Sequence, residues 1–364
     1  PPFRIGNRAS NVTNKSFDEF RMRTDELSSD WITTEYNNQS SASTFYAVQD
    51  ETIAAFNHTA TVTIDSSKVS ADLTDFPIYI DLSDLPSSFW NDVANGGGDI
   101  RVYKDDDTTQ LPREVVSCAT ASDTGELHVK YTGTLSSSSD TVLHIYTNGS
   151  SSDYAATATY GRNAVWSDYL AVYHLDDLTD STGNGYNLTA IGNATTATGK
   201  VGGGYELDGS GDYLSNTSFG SLVGDFTASI WFEPDDTGTH YIVSTGYNSS
   251  NSHISLYNGA AAPFYAIIDG GAVRTELVSV NAAANTFYMG ASVRSGTDAY
   301  NYYNGVRQQD NSGEFSVDPI STDTLNAGRL DLGYAVPRNN TGAYADGIID
   351  EARFRGGWAA SDDW

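Results

Sequence analysis

Apolar and polar positions alternate with a period of two along most of this chain, in short runs broken by turn residues. In 226–233, Phe226, Ala228, Ile230 and Phe232 fall on one face, and Thr227, Ser229, Trp231 and Glu233 on the other. That alternation is the pattern of a strand with one face on a core. Similar runs occupy 61–64, 76–82, 99–103, 126–131, 141–146, 169–175, 203–207, 240–244, 252–257, 263–268, 287–293 and 348–354. Asp208-Gly209 and Ser210-Gly211 mark a tight turn, and Asn304-Gly305 reads as the two-residue turn of a hairpin over 300–306. Helical periodicity is scarce beyond a short turn at 85–90. The expectation is an all-β protein, two antiparallel β-sandwich (jelly-roll) domains in tandem, with the boundary near 155–165.

Composition narrows the functional classes. At 364 residues the chain has room for two cores. A net charge of −28 excludes a counterion-releasing basic surface, so neither nucleic acid nor an anionic membrane is an expected partner. Lysine is confined to Lys15, Lys68, Lys104, Lys130 and Lys200. Such an acidic surface suits high salt, where screening removes self-repulsion, and equally suits an acidic extracellular protein. Cys118 has no partner in the chain, so stability must come from the core or from a bound metal ion. Acceptor sequons such as those at Asn57, Asn148 and Asn187 agree with a surface setting. No apolar run approaches the length of a membrane span.

Two phrases carry a family resemblance. Val-Gly-Gly-Gly-Tyr-Glu-Leu-Asp-Gly-Ser-Gly-Asp-Tyr-Leu at 201–214 precedes Phe-Thr-Ala-Ser-Ile-Trp-Phe-Glu-Pro at 226–234. Together with Asp-Ser-Thr-Gly-Asn-Gly at 180–185 and Ile-Asp-Glu-Ala-Arg at 349–353, they resemble a laminin-G-like jelly roll of the concanavalin A-like superfamily over about 165–356. Phe-Pro-Ile-Tyr-Ile-Asp-Leu at 76–82, Gly-Asp-Ile-Arg-Val-Tyr at 98–103, Leu-Pro-Arg-Glu-Val at 111–115 and Val-Trp-Ser-Asp-Tyr-Leu-Ala-Val-Tyr-His-Leu at 165–175 resemble a β-sandwich family of unknown function. That family covers about 60–160 and commonly accompanies a laminin-G-like domain. Finally, Phe-Asp-Glu-Phe-Arg at 17–21 resembles the Ile-Asp-Glu-Ala-Arg of 349–353, an offset of 349 − 17 = 332 residues. Residues 1–31 therefore read as the closing strands of a preceding laminin-G-like copy, and the chain as a piece of a larger repeat protein. The expected organisation is that segment, a linker over 32–52, the first sandwich over 53–160, the jelly roll over 161–357, and the start of another linker at 358–364.

The resemblance also frames the chemistry. Glycan-cleaving enzymes of this fold carry Glu-x-Asp-x-x-Glu on one strand, a spacing absent here. Glu126, Glu206 and Glu233 stand on separate strands, and alternation sends Asp350 and Glu351 to opposite faces. His58, His128, His144, His174, His240 and His253 form no metal pair at helical spacing, and His128 and His144 read as packed or half-exposed strand residues. A non-enzyme is expected. Related jelly rolls place a structural calcium between an early loop and the closing strand, which implies Ca2+ at Asp180, Asn184 and Asp350. Asx-turn hydrogen bonding is the competing use of Asp180 and Asn184. Glycan binding is the superfamily's usual role, with Tyr247, Tyr257, Tyr300, Tyr302 and Tyr303 as stacking candidates. The leading functional expectation is a structural and adhesive repeat module of an extracellular, cell-surface or virion appendage. Its partners would be neighbouring copies, other appendage subunits or cell-surface glycans. The alternatives are the carbohydrate-binding portion of a secreted glycan-degrading enzyme and a cell-surface layer protein.

Overall fold

The computed structural model describes residues 7–8, 11–12, 56–220, 224–238, 240–245, 254–259, 262–268, 283–296, 298–307, 328–334, 344–357 and 359. Its contacts divide the chain into two units, Pro1–Ala54 and Ala55–Trp364. In the first unit β1 (Asn7–Arg8) pairs antiparallel with β2 (Asn11–Val12). Phe17 and Phe20, on which the expectation of a preceding copy rests, lie outside the described residues.

The second unit begins with β3 (Asn57–Ile64), β4 (Leu73–Asp81), β5 (Arg101–Lys104), β6 (Gln110–Leu111), β7 (Arg113–Ala119), β8 (Thr124–Leu135) and β9 (Thr141–Thr147). A single-turn helix, α1 (Ser87–Trp90), interrupts them. One sheet has the order β3-β9-β5-β6 and the other β4-β8-β7. Leu127 and Val129 of β8 meet Val102, Leu143, Ile145 and Phe89 in an apolar core between the two sheets. Arg113 is buried with that core. Its guanidinium donates to the Ile100 and Gly98 carbonyls and pairs with Asp153, so a charge out of water keeps its donors occupied.

After a second single turn, α2 (Arg162–Val165), the chain builds a larger pair of sheets. Their strands are β10 (Ala171–Tyr173), β11 (Thr189–Ile191), β12 (Thr195–Thr198), β13 (Gly203–Asp208), β14 (Tyr213–Asn216), β15 (Phe226–Pro234), β16 (His240–Thr245), β17 (Ile254–Gly259), β18 (Ala262–Ile268), β19 (Tyr288–Ser295), β20 (Asp298–Tyr303), β21 (Val306–Arg307), β22 (Leu330–Leu332) and β23 (Asp346–Gly356). One sheet runs β12-β13-β23-β15-β19-β20-β21, with β10 also on β23, and the other β11-β14-β22-β16-β17-β18. Closing strand β23 thus lies between β13 and β15, far from its neighbours in sequence. Ala228, Ile230 and Phe232 of β15 enter the core with Tyr173, Leu207, Ile242, Leu332, Ile349 and Phe354, the face that alternation assigned them. Thr227 and Ser229 are buried too, so the other face of β15 is not open to solvent there.

The protein is therefore all-β, its sheets antiparallel and its described helix confined to single turns. No described helix is long and apolar enough to cross a membrane.

Candidate functional site

Both sandwiches contribute to one buried polar cluster. With Leu127 and Val129 turned into the first core, Glu126, His128 and Lys130 line the opposite face of β8. Glu114 on β7 sits directly across from His128. From the larger sandwich, Ala171, Tyr173 and Leu175 point into their own core. That alternation turns Val172 and His174 the other way, and Val172 packs with Trp166 and Tyr169.

Closing strand β23 supplies the last member by breaking its own alternation. Ser229 pairs with Arg353 and Trp231 with Asp350, so two steps along β15 match three along β23. Glu351 lies in this bulge with φ of 49°, a left-handed conformation uncommon for glutamate. The bulge buries Asp350 and Glu351 together instead of exposing one of them. The expectation that they point to opposite, independent faces is corrected by this local geometry.

The cluster's bonds run within each sandwich and, through Glu114 and Lys130, across the junction. His174 Nδ1 lies 2.5 Å from Glu351 Oε1 and its Nε2 lies 3.1 Å from Glu114 Oε2. His128 Nε2 lies 2.7 Å from Glu126 Oε1, and the two imidazoles stack with centroids 4.4 Å apart. Glu114 also accepts from the Trp166 indole N–H and the Ser181 hydroxyl, and Glu351 from the Arg353 guanidinium. At the edge, Lys130 donates to Asp168 at 2.8 Å.

The charge states follow from these partners. Burial alone would lower the pKa of His174, but Glu351 and Glu114 hold it well above the ordinary value. An imidazolium there donates from both nitrogens. Burial and that neighbouring positive charge push His128 down, so it is neutral. Despite burial, Arg353 and His174 keep Glu351 below the usual carboxylate range. Burial pushes Glu126 up to about 9, against the pull of His174. Asp350 is pushed up to about 8 by burial and by the adjacent Glu351.

The histidines were expected to form no metal pair at helical spacing, and the structure instead joins two of them through space. His128, read as a packed or half-exposed strand residue, is fully buried in this cluster. Glu126-Leu127-His128 was the available signal, since positions two apart share a strand face. Nothing in the spacing connects them to His174 or Glu351.

The expected calcium ligands have other neighbours. Asp180 is buried and accepts four bonds, from the Val172 amide of β10 and, within its own loop, from the Thr182 and Tyr186 amides and the Thr182 hydroxyl. The Asn184 amide donates to the carbonyls of Tyr169 and Leu170. Asp350 Oδ2 accepts from the Val201 amide. Among the described residues no hydrogen bond links the three. A calcium ion would have to displace the donors that saturate Asp180. We expect millimolar calcium to leave the melting temperature unchanged. A rise that Asp180→Asn abolishes would restore the calcium site.

Of the tyrosines proposed for stacking, Tyr302 and Tyr303 are buried, and Tyr303 stacks on Tyr288. Tyr247 lies outside the described residues, as do the side chains of Tyr257 and Tyr300. A different aromatic group is half-buried beside β14 and β22. There Tyr334 stacks between Tyr213 and Tyr344 at 4.9 and 4.7 Å.

A cavity of about 340 Å³ adjoins the polar cluster. Its lining includes buried His174 and Glu114 together with exposed Asp153, Asp176 and Asp177.

Comparison with known proteins bears on the larger sandwich. Residues 208–357 match the family described as the concanavalin A-like lectin/glucanases superfamily. No curated protein matches the chain. Among solved structures, domain 4 of the extracellular arabinanase AbnA from Geobacillus stearothermophilus, in complex with arabinotriose, is 21% identical. That match covers 54% of this chain and 95% of that one, with a TM-score of 0.42. The binding domain of Paraclostridial Mosquitocidal Protein 1 is 13% identical over 54% of this chain and 50% of its own, with a TM-score of 0.41. The receptor binding domain of botulinum neurotoxin mosaic serotype C/D is 12% identical over 54% and 49%, with a TM-score of 0.38. The chain thus spans about half the length of the two toxin domains. The family match thus falls on the larger sandwich, over residues 208–357.

Proposed function

We propose that this chain is a non-catalytic structural and adhesive module of an extracellular surface appendage, with glycans held by its jelly roll. The observation that carries the reading is the closure of the polar cluster. Glu126, Glu351 and Glu114 are 1%, 3% and 6% exposed; Glu114 spends its oxygens on His174 and Ser181 of the facing sandwich, Glu351 on His174 and Arg353 of its own, and Glu126 meets His128. A glycan chain cannot reach carboxylates so placed, whereas hydrolysis needs two of them flanking an accessible bond. What the cluster does instead is fasten the first sandwich to the second. The Asp-Glu-x-Arg motif repeated between the chain's two ends supports a place in a repeating assembly. The Tyr213–Tyr334–Tyr344 group offers ring surface for a sugar.

The test is a panel of polysaccharides examined for retention and for turnover together. We expect retention of at least one glycan class without release of reducing ends, weakened by Tyr334→Ala. Release of sugar that Glu126→Gln or Glu114→Gln abolishes would make the chain an enzyme. Absence of retention across the panel would remove glycan binding.

A further inference from the structure

We propose that His128, His174, Glu126 and Glu351 form a structural Zn2+ site that clamps the two sandwiches together. One donor atom from each residue lies within 4.8 Å of the other three, and all four residues are buried. Four of the edges of this tetrahedron are known individually. His174 Nδ1 is 2.5 Å from Glu351 Oε1 and 3.4 Å from Glu126 Oε1. His128 Nε2 is 2.7 Å from Glu126 Oε1 and 4.0 Å from Glu351 Oε1. Tetrahedral zinc with bonds of about 2.0 Å needs edges of about 3.3 Å, which these values bracket. Sub-ångström side-chain shifts regularise the cage.

The donor set selects the ion. Two imidazoles and two carboxylates suit Zn2+, whereas Ca2+ and Mg2+ favour all-oxygen shells. Two carboxylates also balance a dication out of water. Four protein ligands leave no open position, the arrangement of a structural rather than a catalytic zinc.

Independent observations point the same way. Two of the ligand residues are incompletely held by the protein: Glu126 Oε2 and His128 Nδ1, next to the donor atoms named above, are buried without a hydrogen-bond partner among the described residues. The carboxylate of Glu126 is accommodated because Gly202, at φ of 60°, has no side chain where its Oε2 lies. Outer partners are already in place on the other half of the site. Glu114 engages Nε2 of His174, so that release of the Nδ1 proton on binding opens Nδ1 to the metal, and Arg353 engages the second oxygen of Glu351. Such partners orient ligands in metal centres. The adjoining cavity, lined by Asp153, Asp176 and Asp177, gives a cation an acidic route to His174.

The experiment uses the full chain, stripped with a chelator and then titrated with ZnCl2 or CoCl2. We expect one ion per chain by elemental analysis and a melting temperature raised by about 5 °C at a hundredfold excess over Kd. Co2+ should show the visible absorption of a four-coordinate site. His128→Phe keeps a ring in the stack and Glu126→Gln keeps the shape, so each should fold and lose both signals. If one variant does not fold, the other decides. Failure of the wild-type chain to bind Zn2+, or binding undiminished in the folded variants, would overturn the site.

Discussion

Trp166→Ala is expected to destabilise the protein by about 4 kcal/mol, the range for deleting a fully buried tryptophan. Trp166 is inaccessible to solvent, and every side of the ring is in use. Its edge meets Tyr169 at 5.2 Å, its flanks meet His128 and His174 at 5.3 and 5.4 Å, and Arg353 lies 5.0 Å from its centroid. Its indole N–H occupies Glu114. Truncation therefore opens a cavity at the contact between the sandwiches and removes a donor from a buried carboxylate. Trp166→Phe, which loses mainly the N–H, should cost less, about 1–3 kcal/mol. Calorimetry gives a further readout. Loss of this contact should split unfolding into two transitions, because each sandwich retains its own core. A Trp166→Ala protein that unfolds in one transition with little loss of stability would show that the junction does not couple the two.

The parts of the structure legible in the sequence are those governed by local periodicity. Phe226, Ala228, Ile230 and Phe232 declare their face by spacing alone, and Leu127 and Val129 do so on β8. The family phrases also place the jelly roll, which the match over 208–357 bears out. The junction was hidden for two physical reasons. His174 belongs to the larger sandwich and His128 to the smaller, so only folding sets them 4.4 Å apart. Glu351 is harder still, since a glutamate at positive φ inside a bulge obeys no alternation. Reading Asp350 and Glu351 by period two treats the strand as regular at the one place where it is not. Polar faces create the same difficulty. Glu126, His128 and Lys130 share a face by alternation, but nothing local shows that another sandwich covers it.

The closing strand provides the second large effect. Glu351→Ala, measured with chelator present so that bound metal is out of the comparison, is expected to cost about 4 kcal/mol. The reason is asymmetric. Glu351 receives the Arg353 guanidinium and His174 Nδ1, and its removal leaves both without this buried anion. Alanine keeps the left-handed backbone that Glu351 already adopts, so that strain of about 1–2 kcal/mol is common to both proteins and cancels from the difference. Glu351→Gly separates these contributions, because it relieves the backbone while still removing the charge. Combining Glu351→Ala with Arg353→Met removes both members of one pair. A double-mutant cycle should then return a coupling of roughly 1–3 kcal/mol, leaving the double variant less unstable than the sum of the singles. Additive losses would mean that Arg353 and Glu351 stabilise the strand independently. A Glu351→Ala protein as stable as the wild type would mean that the bulge, rather than the charge it carries, holds β23 in place.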